Sequence, residues 1–188
     1  MGSACLQKLA QTTGKLIRGI FNSPQSFPAM NEIQNLIALL KNNFNGQMWY
    51  GNNFTHVLSN ITPDTAFTRP FTNAHNIAEL LAHLLAWRTF AIQQLKGNTG
   101  FTIEIDSEQD WPVYNQSNAA VWQQLTEALQ HSQSELETLL SNANNELLQQ
   151  TVPGTEFNFY ILLHGVLHHD VYHLAQIALV KKQLHVQA

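Results

Sequence analysis

The chain is 188 residues long, 44% apolar and only 12% charged, against roughly 25% charged in an average soluble domain. That composition suits one folded domain with a real core and excludes a disordered chain, and no apolar run approaches the ~20 residues that span a bilayer. A net charge of −4 offers nothing to nucleic acid or an anionic membrane, and a single cysteine, Cys5, excludes a disulfide framework or thiolate metal cluster.

Charge divides the chain. Lys8, Lys15 and Arg18 precede the first acid, Glu32, and from Glu32 onward six basic residues face thirteen acidic ones. The boundary, residues 22–28, has two prolines and reads as a linker, and Met30 behind it suits a translational start. Residues 1–29 are expected to be a leader or extension, disordered or weakly helical, with residues 30–188 as the folded domain. Leu6, Leu9, Leu16, Ile17, Ile20 and Phe21 among the leader's basic residues also suit a weak targeting or interfacial helix. Met1-Gly2 with Cys5 hints at acylation, but Leu6 stands where that signal needs Ser or Thr. The expected compartment is the cytoplasm, where a lone cysteine stays reduced.

From Met30 the apolar period is helical. Met30, Ile33, Leu36, Ile37, Leu40 and Phe44 predict a first helix over about 30–45, followed by a short one near 52–60. Thr62-Pro63-Asp64 and Arg69-Pro70 read as a loop. Asn76 and Glu79 form a capping pair opening a second helix, which Lys96-Gly97-Asn98 closes; Ile77, Leu80, His83, Leu84, Trp87, Phe90, Ala91 and Leu95 share its apolar stripe. Residues 97–115, with a β-like stretch from Phe101 to Ile105, form a long connection of the length that usually serves as a lid or site loop. A third helix is expected from about Ser117 to Leu140 and a fourth from about Thr155 to Leu184. No other strand pattern competes, so the expected fold is all-α: an antiparallel four-helix bundle with a long connection between helices two and three.

Nine histidines equal all the lysines and arginines together, and four of them lie between His164 and His173. Two His-x-x-x-His pairs overlap there, and each pair lies one turn apart on one helix face, as two ligands of one metal ion require. His169 and His173 share the apolar stripe with Leu162, Val166, Ile177 and Val180, whereas His164 and His168 fall on the face of Lys182. Buried imidazoles need partners for both nitrogens. A third ligand from a facing helix completes a site, and His83 is the histidine inside the stripe of helix two. The alternative is that all three are core histidines bonded to one another or to carbonyls.

Two segments also resemble a known family. His75-Asn76-Ile77-Ala78-Glu79-Leu80-Leu81-Ala82-His83-Leu84-Leu85-Ala86-Trp87 is similar to the second helix of the DinB superfamily (damage-inducible, YfiT-like proteins). His164-Gly165-Val166-Leu167-His168-His169-Asp170-Val171-Tyr172-His173-Leu174-Ala175-Gln176-Ile177 contains its HDxYHxxQI signature. Weaker echoes are Gly46-Gln47-Met48-Trp49-Tyr50-Gly51, Asp110-Trp111-Pro112 and Val152-Pro153-Gly154. The resemblance covers Met30 to the end and implies a four-helix bundle holding zinc, nickel or manganese through His83, His169 and His173. Ala175 stands where relatives commonly have Gly, and its methyl is expected to tighten packing.

Three neutral histidines leave a divalent ion its full charge and an open position, the pattern of a catalytic site. That position can activate a water or a low-molecular-weight thiol, and the resemblance implies both, because such proteins include metal-dependent hydrolases and thiol S-transferases. Asp170 and Glu79 are candidates for holding a ligand imidazole in the right tautomer, although solvated or capping roles are the plainer reading of both. Tyr172 and Gln176 can face the site mouth or pack between helices. Trp49, Trp87 and Trp111 are candidates for the wall of a small-molecule pocket. The expected partner is a small-molecule substrate, with no nucleic acid, no membrane, and a homodimer through exposed apolar helix faces. The competing class is a non-catalytic, metal-stabilised bundle serving as a stress-related binding module.

Overall fold

The computed structural model describes residues 31–186; the leader and Met30 lie outside the described residues. Six helices form, with no strand among the described residues: α1 Glu32–Phe44, α2 Phe54–Leu58, α3 Pro63–Phe67, α4 Ile77–Leu95, α5 Ala119–Ser141 and α6 Phe159–Val186, plus a 3₁₀ turn at Asn145–Gln149. None is long and apolar enough to cross a membrane.

Local chemistry sets the boundaries. Asn31 and Gln34 close a reciprocal capping box on α1, and Asn76 and Glu79 do the same on α4, satisfying N–H groups that a helix start leaves without partners. The short α3 occupies a stretch expected to be loop. Thr62 accepts from the Thr65 N–H and Pro63 takes the first helical position, where a missing N–H costs nothing. Helix α6 starts later than Thr155 because residues 151–158 double back on themselves. There the Val152 N–H donates to the Phe157 carbonyl (2.9 Å) and the Phe159 N–H to the Gln150 carbonyl (3.0 Å), with Gly154 at φ +77 in the turn. Asn158 then caps α6 by accepting from the Ile161 N–H.

The four long helices close into a bundle in which α4 packs on α5 and α6, and α1 packs on the same two. Residue pairs fix the directions. The start of α4 meets the far part of α6, where Leu80 shares a cavity with Val180, and its end meets the beginning, where Phe90 shares one with Ile161. These two are antiparallel. Helices α4 and α5 run the same way, since Leu81 clusters with Trp122 while Ile92 clusters with Leu136. Parallel neighbours cannot be joined by a tight turn, and this is why residues 96–118 must travel the length of the bundle.

Apolar side chains fill both halves of the core, one group around Leu36, Leu140 and Leu163, the other around Phe54, Leu81 and Ile177. A polar layer separates them. Arg88 and Asp170 are both fully buried, and the guanidinium donates to both carboxylate oxygens at 2.7–3.2 Å. Its remaining N–H groups reach Ser132 Oγ (3.1 Å) and Gln133 Oε1 (3.0 Å) on α5. Asn43 of α1 is buried beside Asp170, its amide making no hydrogen bond among the described residues. Burial pushes the Asp170 carboxyl up, and the Arg88 guanidinium opposes that shift. Every long helix thus contributes to one layer.

A buried charge stripped of its partner is costly, whereas replacing the pair by apolar residues of similar volume is often close to neutral. Asp170→Ala is expected to lose about 3–5 kcal/mol in urea unfolding. The double variant Arg88→Met/Asp170→Leu should recover most of that loss.

Candidate metal centre

Helix α4 contributes His83 and helix α6 contributes His169 and His173, one turn apart on the stripe that faces α4. One ring nitrogen from each lies within 4.8 Å of the others, and Nε2 of His83 is 3.1 Å from Nε2 of His169. His83 and His173 are buried and His169 is half-buried.

The other ring nitrogens are committed elsewhere. Nδ1 of His83 sits 2.8 Å from Asp110 Oδ1 and 3.0 Å from the Asp110 carbonyl oxygen. Carboxylate and carbonyl oxygens only accept, so the proton belongs on Nδ1 and Nε2 keeps its lone pair. His173 Nδ1 donates to Gln176 Oε1 at 2.7 Å, which leaves its Nε2 as a ligand in the same way. Two imidazoles are therefore held in the tautomer that metal ligation needs.

Burial also keeps His169 and His173 neutral. Desolvation, reinforced by the neighbouring His173 and His83, pushes His169 down to about 3. Desolvation likewise pushes His173 down to about 4, against the pull of the Gln176 hydrogen bond. Neither ring takes up a proton near neutrality, and a neutral imidazole is the metal-binding form.

The long connection supplies what the helices lack. Asp110 closes a tight turn: its Oδ2 accepts from the Asp106 N–H (3.0 Å) and its Oδ1 from the Trp87 indole N–H (2.8 Å). Trp111 lies flat on His83, ring centroids 3.6 Å apart and planes 8° apart; it also stacks on His75 at 4.1 Å and stands edge-on to His173 at 6.0 Å. The residues expected to form a lid do cover the histidines. Phe101 and Ile103, read as β-like, pack against the core from irregular backbone.

The candidate side chains divide clearly. Trp87 and Trp111 touch the cluster, and Gln176 orients His173. Tyr172 is exposed, with its ring edge-on to His173 at 4.9 Å between centroids. Trp49 is 94% exposed in the loop after α1, edge-on to Tyr50 and not against the histidines. Asp170 is neither solvated nor capping, nor does it hold a ligand ring; it belongs to Arg88. Helix α6 is packed by both α1 and α4, so its buried arc is wider than the single stripe read from the sequence. Glu79 does cap α4, but it is also buried, and it holds Arg69 and His75 rather than a ligand histidine. His164 pairs with Glu32 (3.0 Å). Ala175 is exposed, so its methyl tightens nothing. The residue that sequence reasoning missed is Asp110; its only signal was the Asp-Trp-Pro echo inside a connection of unusual length.

Fold and site together define an all-α bundle with a three-histidine centre suited to a divalent cation. Three converging ring nitrogens, two of them on rings whose other nitrogen is already committed, are the kind of donor set that such an ion requires. A family model described as the DinB superfamily matches residues 49–177, and the chain belongs to that superfamily. No curated protein and no solved structure matches it.

Removing the Asp110 carboxylate frees His83 to rotate and to change tautomer. Asp110→Ala is expected to weaken zinc binding by about 10–100-fold with the far-UV circular dichroism unchanged, read by competition against a chromophoric chelator. Acid should also unfold the metal-free protein. His169 and His173 lie below their ordinary 6.5 when folded, so the unfolded chain binds more protons in acid. The stability they contribute is intact above about pH 6.5 and lost as the pH falls from there toward 4 and 3. A urea midpoint measured against pH should show this fall, and His169→Ala/His173→Ala should flatten it.

Proposed function

We propose that the protein is a metal-dependent enzyme that activates a low-molecular-weight thiol for transfer to a small electrophilic substrate. Carrying this reading is an apolar cavity of about 270 Å³ that opens beside His169 and is walled by Trp87 and Phe90. An ion serving only to hold the bundle together has no use for a cavity at its edge. A divalent ion bound by His83, His169 and His173 supplies Lewis acidity, lowering the pKa of a thiol or water that reaches its remaining position.

This chain's own residues bind and orient. Asp110 and Gln176 fix the His83 and His173 rings, Trp111 keeps solvent from the face of His83, and Trp87 ties the cavity wall to Asp110. Thiol activation is favoured over hydrolysis because the carboxylates nearest the cluster are engaged: Asp110 with His83, Glu79 with Arg69 and His75. A thiol at that position would release its proton to bulk water, and the resulting thiolate needs no further base. Water activation is the second reading, and the exposed Tyr172 beside His173 is the group that would protonate a leaving group.

Cobalt-substituted protein tests the choice. Adding a thiol such as cysteamine should produce an intense sulfur-to-cobalt charge-transfer band in the near ultraviolet, absent from His169→Ala/His173→Ala. A cobalt spectrum indifferent to thiol would exclude thiol activation. Failure of the parent protein to take up zinc, nickel or cobalt would exclude the metal-dependent reading altogether.

A further inference from the structure

The cavity beside His169 also says what kind of substrate fits it. Its walls include Trp87, Phe90, Ile161, Gly165 and Val166, and no charged side chain lines it. Of its two polar side chains, the Trp87 indole N–H is already donated to Asp110. The His169 imidazole is the other, and it belongs to the histidine cluster. A phosphate or carboxylate placed here would lose its water and find no partner, whereas an apolar group would gain by leaving water.

Gly165 gives a second, independent reason. It lies inside a 28-residue helix, where glycine costs about 1 kcal/mol relative to alanine. Its φ is not among the positive values, and a Cβ built there meets nothing within 4 Å. Neither a turn nor close helix packing requires it. Gly165 lines the cavity and is itself exposed, so the missing side chain leaves open space at that wall.

We infer that this cavity holds the uncharged apolar or aromatic arm of a reactant, with the reacting end of that molecule directed toward His169. The inference rests on the enzyme reading above and specifies its substrate class. It makes Gly165 a specificity-determining residue whose enlargement excludes the arm without touching a metal ligand.

Calorimetric titration of the full chain, zinc-loaded and metal-free, tests it with three probes: toluene, benzyl mercaptan and cysteamine. Toluene should bind both forms equally. Benzyl mercaptan should bind the zinc-loaded form at least tenfold more tightly than either the metal-free form or cysteamine does. Gly165→Leu should weaken toluene and benzyl mercaptan at least tenfold while zinc content, cysteamine binding and helical circular dichroism stay at parental values. Benzyl mercaptan binding that ignores Gly165→Leu, or that is no tighter than cysteamine, overturns the inference. A protein that takes up no zinc yet binds toluene in a Gly165-dependent way loses the metal reading and keeps the apolar preference of the cavity.

Discussion

The buried ion pair between Arg88 and Asp170 is the constraint on which the site depends. Both groups are sealed from water, so a shift of α4 along α6 by one turn would leave two bare charges in an apolar core. Only one register is tolerable, and it is the register that brings the histidines together. His83 stands five residues before Arg88, while His169 and His173 flank Asp170. The ion pair is weak evidence for stability in itself; its consequence is that a site built on two separate helices is assembled wherever the core is correctly formed.

Much of this was legible in the sequence, for physical reasons. Helical periodicity located α1, α4 and α5 to within a residue or two, helped on α4 by the Asn76 cap, because a capping side chain marks the place where backbone N–H groups lose their partners. The three histidines were legible because they are polar residues on apolar stripes. The polar layer was harder to see. Helical wheels place one stripe per helix, but α6 is covered on two sides, and this put Asp170 inside. A signal was present nonetheless. Glu79 and Arg88 are the only charged residues of α4, and Asp170 is the only one in α6 before Lys181. A lone cation and a lone anion on two apolar helices have a strong reason to meet.

Asp110 and Trp111 lay beyond the reach of periodicity. They sit on a connection whose path follows from bundle topology, since α4 and α5 run the same way and the chain must return along the outside between them. Contacts set by such a return are long-range, and no local pattern encodes them. Trp49, a candidate on residue type alone, lines an open cleft with Gly46, Asn53 and His56 and is not among the aromatics that touch the histidine cluster. Placement in the fold, more than residue type, decided which aromatics touch the histidines.

X-ray absorption at the zinc edge of stoichiometrically loaded protein tests the central claim most directly. Three imidazole nitrogens at about 2.0–2.1 Å, with at least one further light-atom ligand that benzyl mercaptan replaces by sulfur, is the expected result. Two or fewer imidazoles per zinc, or a filled coordination shell that no thiol alters, would contradict it.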